Sequence, residues 1–132
     1  MDEYELIVIG TGGAAMAAGI EARSRAASVL LVEHNALGGT CLRVGCIPSK
    51  ALLDSSRQWW NMGHIFAEHG ISAPNAAIDI PTMIGRKDKI VKQFTGGIAA
   101  LFKANKVSAF YGFGQLQPGK KVLVKQHDGS EV

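Results

Sequence analysis

The sequence predicts an α/β fold: a parallel sheet packed with helices and extended by a small antiparallel β-meander. Three observations predict it. A short apolar run from Tyr4 to Ile9 passes through Gly-Thr-Gly-Gly into an Ala-rich stretch, Ala14 to Ala26, before a second apolar run starts at Ser28. Two later segments, 49–68 and 82–105, carry helical features. The tail GFGQLQPGKKVLVKQHDGSEV flanks a β-rich run with Pro-Gly and Asp-Gly turn signals.

The elements follow in order. Tyr4 to Ile9 and Ser28 to Glu33 are short β-rich runs on either side of a helix, and this order gives parallel strands joined by a right-handed crossover. A helix is expected from Ser49 to about Glu68, because Pro48 stands just before it and Gly70 just after. From Thr82 to Asn105, apolar residues at 83, 84, 90, 91, 94, 98, 101 and 102 form one stripe, with Gly96 and Gly97 as a weak point. Val107 to Tyr111 reads as a third strand. The Pro-Gly and Asp-Gly turns beyond it predict antiparallel strands.

Composition excludes several classes. With 132 residues, 47% hydrophobic and 19% charged, the chain fits one folded domain. Its longest apolar runs, LIVI and VLLV, fall far below the ~18 residues of a membrane span, and the start MDEYELIVIG lacks a basic leader segment. The expectation is a cytoplasmic chain without a membrane anchor. A net charge of +3 invites a nucleic-acid reading. The basic residues are scattered, however, and Arg86, Lys87, Lys89 and Lys92 alternate with Ile84, Ile90 and Val91 as a solvated helix face would.

Chemistry enters first at Gly10-Thr-Gly12-Gly-Ala-Ala15. A pyrophosphate needs backbone N–H groups aimed at it, and a strand turning tightly into a helix N-terminus supplies them with a favourable dipole. Gly10 permits the turn, Gly12 removes a side chain that would block the phosphate, and Ala15 lets the helix approach the sheet. Glu33 closes the second strand near the ~20-residue spacing of a ribose-binding carboxylate. The reading is a Rossmann-like dinucleotide site. Its alternative is a Gly-rich packing turn with an exposed Glu33.

The only two cysteines lie in GGTCLRVGCIPSKALL, Gly39 to Leu53. In a regular helix, residues five apart have Cα atoms about 8 to 9 Å apart on different faces, whereas a disulfide wants less than ~7 Å. Cys41 and Cys46 can join only if the backbone between them is irregular. Gly45 permits that, and Pro48 biases Ile47 away from helix. As a structural staple the six-residue loop would contribute ~2 kcal/mol. Zinc would need two more ligands, and His34, His64, His69 and His127 show no metal-ligand spacing. Inert buried thiols and reversible thiol/disulfide chemistry remain. Lys50, four residues after Cys46, is placed to favour a thiolate in the latter case.

With these motifs in view, the chain resembles the N-terminal part of the flavoprotein disulfide reductases. GGTCLRVGCIPSKALL and TGGIAALFKANKV are most similar to the dihydrolipoamide dehydrogenases, the opening IGTGGAAMAAG is closer to the mercuric reductases, and Arg43 stands where Asn is usual. The resemblance implies an incomplete Rossmann-like FAD-binding fold. Residues 1–132 would be the N-terminal portion of an FAD-binding domain, with NAD-binding and dimerisation domains absent from the chain.

Carried over by position, Gly10, Gly12 and Thr40 would meet the FAD pyrophosphate, Glu33 the adenosine ribose, Lys50 the flavin region and Gly114 the adenine side. Gly13, Ala14, Gly39 and Cys41 complete the cofactor-binding set. Cys46 would face the flavin, and Cys41 would exchange with substrate. The implied reaction oxidises protein-bound dihydrolipoamide to lipoamide, with NAD as acceptor. The partners are the lipoyl domain of a 2-oxo acid dehydrogenase complex or a small dithiol, and a second subunit in a homodimer. The alternatives are a mercuric reductase, another flavoprotein disulfide reductase, or a non-catalytic nucleotide-binding or dimerising fragment. The family's catalytic histidine has no match here, so the chain alone is expected to be inactive and its four histidines structural or surface residues. No nucleic acid, membrane or metal ligand is expected.

Overall fold

The computed structural model describes residues 2–132. Three parallel strands, β1 (Leu6–Ile9), β2 (Val29–Glu33) and β3 (Ser108–Tyr111), form a sheet in the order β1-β2-β3. The register pairs Leu6 with Val29 and Leu30 with Ser108. All five residues of β2 are buried. This is why VLLV is uniformly apolar: a central parallel strand is covered on both faces.

The two faces of β2 feed two cores. Val29 and Leu31 pack with Leu37, Leu42, Ile98, Phe102 and Val107, whereas Leu30 and Val32 pack with Val124. This alternation is the two-residue side-chain period of a strand. One face thus carries helices α1 (Gly13–Ser24) and α4 (Ile80–Ala104), and the other carries the hairpin of β4 (Phe113–Gln117) and β5 (Lys121–Lys125). Gly112 makes the crossing to the hairpin, since a Cβ there would stand 2.5 Å from the Lys125 carbonyl oxygen.

Between β2 and α4 lie a short helix α2 (Gly39–Arg43), the long α3 (Cys46–His64) and a 3-10 turn, Phe66–His69, which Gly70 ends at φ 73°. Arg86 of α4 reaches α3, donating to the Ala51 carbonyl at 3.0 Å and to Asp54 Oδ2 at 2.8 Å. Asp79 caps α4 by accepting from the Thr82 N–H at 3.1 Å and its hydroxyl at 2.8 Å.

The structure departs from the sequence expectations in four places. Segment 39–43 is helical. Helix α3 begins at Cys46, so Ile47 is helical and Pro48 lies inside the first turn. The first-turn N–H groups have no partner within a helix, so Pro48 removes no hydrogen bond there. Gly96 and Gly97 do not interrupt α4, because Ile98 and Phe102 immediately beyond them are buried in the core. Ile84, Phe94 and Leu101 of the expected stripe are exposed, and Arg86 is an interhelix tie rather than part of a solvated face. The segment ending in Val132 pairs antiparallel with the hairpin, as the turn signals predict. Val132 and Val124 exchange bonds of 2.7 and 3.0 Å, so this segment extends the meander.

Candidate active site

The parallel strands β1 and β2 end at one edge of the sheet, and the predicted site residues gather there. Gly10 leaves β1 at φ 102°, donating its N–H to the Val32 carbonyl at 2.7 Å, and Gly12 caps α1. Gly12 has φ −69° and ψ 179°, extended backbone open to any residue. A Cβ built on Gly12 or Gly13 meets nothing within 4 Å. Neither backbone conformation nor internal packing therefore explains the missing side chain at Gly12. The space above the turn is open, beside the exposed first turn of α1 that holds Gly13 and Ala14. Ala15 is buried against the sheet, as expected.

Gly39, at φ 65°, brings the entrance of α2 onto this turn. A Cβ there would stand 2.6 Å from Gly12 Cα. Thr40, exposed, follows it.

Glu33 ends β2 and is only 5% exposed, so the alternative of an exposed surface acid does not hold. Burying an ionised carboxylate is costly unless donors surround it. Here the Thr11 hydroxyl donates to Oε2 at 2.5 Å and the Asn35 N–H to Oε1 at 3.0 Å, while His34 Nδ1 stands 3.4 Å from Oε1. Thr11 in turn accepts from the Gly38 N–H at 3.1 Å. The sequence reading passed over Thr11, although a threonine between two fingerprint glycines was the available signal.

Cys41 lies in α2 and Cys46 opens α3, with the turn Val44–Gly45 between them. A Cβ on Gly45 would stand 3.1 Å from the Thr40 carbonyl oxygen and 3.2 Å from Cys41 Cα. The irregular backbone required of a reactive pair is present, and Gly45 provides it. Both cysteines are exposed free thiols. They face one another: the Cys46 side chain hydrogen-bonds the Cys41 thiol and is the main influence raising its pKa above the ordinary 9.0. The Cys46 backbone N–H and the positive charge of Lys50 pull in the opposite direction, Lys50 most weakly. The two thiols are not buried, which removes the reading of inert core cysteines.

Gly114 lies on β4 over the ends of β1 and β2. A Cβ there would stand 3.0 Å from Val32 Cγ1 and 3.4 Å from Ile9 Cγ1. A side chain at this position would require Val32 to shift by a few tenths of an ångström. Beside Glu33, a hollow of about 790 Å³ is lined by His34, Asn35, Thr95, Gly96, Tyr111 and His127 among others. His34 stands edge-on to Phe113, and His64 stacks on Trp60 at 4.3 Å. Among the described residues no group of three or more His, Cys, Asp or Glu is placed to hold a metal ion, and no helix is long and apolar enough to cross a membrane.

Residues 4–130 match the family model described as pyridine nucleotide-disulphide oxidoreductase. The chain is 41% identical over 132 residues to dihydrolipoyl dehydrogenase 2, mitochondrial, of Arabidopsis thaliana, covering 99% of this chain and 26% of that protein. It is 46% identical over 129 residues to the mitochondrial dihydrolipoyl dehydrogenase of Caenorhabditis elegans, covering 97% and 26%. It is 41% identical over 132 residues to a leghemoglobin reductase of Glycine max, covering 99% and 25%. The chain spans about a quarter of the length of these relatives. The open glycine turn, the buried acid closing the second strand and the facing thiols are thus carried by a chain that belongs to the pyridine nucleotide-disulphide oxidoreductase family.

Proposed function

We propose that this chain is the nucleotide- and disulfide-bearing part of a flavin-dependent dithiol/disulfide oxidoreductase. In this reading the enzyme oxidises protein-bound dihydrolipoamide to lipoamide with NAD as acceptor. The observation that carries the proposal is Gly12: ordinary backbone angles and empty space at its Cβ leave a ligand approaching the backbone as the reason for a glycine. The names of the relatives point the same way and favour lipoamide over mercuric ion.

The residues present fit FAD. The N–H groups of Gly12, Gly13 and Ala14 open α1 with no helical partner of their own, and they suit a pyrophosphate. Gly10 makes the turn, and Gly39 and Thr40 close over it from α2. Glu33 accepts from the adenosine ribose, and the Gly114 backbone borders the adenine side. Lys50 serves the flavin region. When bound, FAD supplies a two-electron acceptor for the dithiol and passes hydride to NAD.

The chain's own chemistry is exchange at sulfur. With Cys41 and Cys46 joined, a substrate thiolate attacks Cys41 Sγ, a new S–S bond forms and Cys46 leaves as thiolate. The second substrate thiol then displaces Cys41. The substrate becomes the disulfide and the pair becomes the dithiol, two electrons having moved to Cys41 and Cys46. Cys41, on α2, is the thiol assigned to substrate, as the family resemblance implies. A lipoyl domain is the proposed partner, a homodimer the proposed assembly and the cytoplasm the proposed compartment, where two free thiols are at home.

The test is anaerobic mixing of the holoenzyme with dihydrolipoamide and NAD. NADH formation tied to disulfide product supports the reading. Reduction of mercuric ion with no lipoamide turnover overturns it in favour of the alternative.

A further inference from the structure

Among the described residues the buried polar side chains are Thr11, 1% exposed, and Glu33, 5% exposed, and they bond to each other. Replacing both members of a buried hydrogen-bonded pair by apolar groups of the same shape can be nearly neutral, so stability alone does not account for this pair. A carboxylate offers about four acceptor positions, two on each oxygen. Thr11 takes one on Oε2 and the Asn35 N–H takes one on Oε1. His34 Nδ1 stands 3.4 Å from Oε1 without a hydrogen bond to it, so one position on each oxygen is left, which matches two neighbouring hydroxyl donors.

The direction of the Thr11 hydroxyl is fixed from its other side. Its oxygen accepts the Gly38 N–H at 3.1 Å, which orients the proton toward Glu33. Thr11 itself is buried and does not reach the open space above Gly12.

We propose that Thr11 is a positioning residue for the nucleotide, acting through Glu33: its hydroxyl locks the carboxylate so that both oxygens present a spare acceptor to the vicinal 2′- and 3′-hydroxyls of the adenosine ribose. The inference rests on the FAD reading above and adds to it how the ribose carboxylate is held. Because Gly38 leads directly into α2, the same hydroxyl also ties the nucleotide turn to the segment that carries Cys41.

The test compares FAD with FAD built on 2′-deoxyadenosine, each binding to the apo form of the holoenzyme, in wild type, Thr11→Val and Thr11→Ser. Wild type should prefer FAD over the deoxy form by about tenfold, the effect of a hydrogen bond to a charged group. Thr11→Val, equal in shape but without the hydroxyl, should lose most of that preference while binding the deoxy form within about threefold of wild type. Thr11→Ser should restore it. Equal loss for both ligands in Thr11→Val would show a merely structural role and overturn the inference. Should Thr11→Val not fold, Thr11→Ser decides: the preference kept supports the inference, and the preference lost overturns it. A wild-type protein that binds no FAD fails the function proposal itself, an outcome distinct from FAD bound without ribose discrimination.

Discussion

Gly39 rests on Gly12 with no room between them: a Cβ on Gly39 would stand 2.6 Å from the Gly12 Cα, whereas a Cβ on Gly12 would point into open space. The two glycines are therefore required for different reasons. Gly12→Val should leave the fold intact, since a Cβ there meets nothing within 4 Å, and should abolish flavin retention. Gly39→Ala should lower the thermal midpoint, because it adds a backbone clash at φ 65°, where side chains are disfavoured. Flavin content and melting of the two holoenzyme variants separate these effects. A Gly12→Val protein that keeps full flavin would place the nucleotide elsewhere.

The facing thiols predict an unusual alkylation profile for Cys41. Its pKa is raised, chiefly by the hydrogen bond that its thiol donates to the Cys46 sulfur, so less thiolate is present at a given pH below the titration and iodoacetamide should react more slowly than with a free thiol. Cys46→Ser removes that sulfur acceptor and its charge repulsion but keeps the backbone N–H and Lys50. The Cys41 profile should then move to lower pH. An unchanged profile would mean that the sulfurs do not interact.

Replacing either cysteine by serine should lower dithiol turnover by ~10³-fold or more, since exchange needs both sulfurs. The variants should differ in their spectra. Cys41→Ser leaves Cys46 beside the flavin and should give a long-wavelength absorbance in the oxidised holoenzyme, while Cys46→Ser should not. The reverse pattern would exchange the two roles.

The α4 cap predicts an acid-sensitive contribution to stability. Bonds from the Thr82 N–H and hydroxyl hold the Asp79 pKa below its ordinary 3.8. A lowered folded-state pKa means that the contribution is fully present above the ordinary value and is lost as pH falls through the folded one. Asp79→Ala should therefore melt at a lower temperature than wild type at pH 7, with the difference shrinking below about pH 3.8. A difference that persists unchanged at pH 2 would point to packing rather than to the charge.

The sequence by itself determined the β-α-β order, the glycine turn, the acid at the end of β2 and the irregular backbone between Cys41 and Cys46. Each is a local signal. Apolar run length marks strands, Gly10 marks a left-handed turn, and a five-residue spacing puts two side chains on different faces of a regular helix, so a pair that meets needs a break between them.

Tertiary structure decided what depends on neighbours distant in sequence. Thr11 meets Glu33 across 22 residues and Gly38 across 27, and Gly39 meets Gly12 only because α2 folds back over the turn. Pro48 lies within a helix because the first turn lacks bonds to lose, and Gly96–Gly97 stay helical because Ile98 and Phe102 are anchored in the core. Propensity acts along the chain with effects of about 1 kcal/mol per residue, and burial of a large apolar side chain, about 1.5 to 3 kcal/mol, overrides it wherever the two disagree.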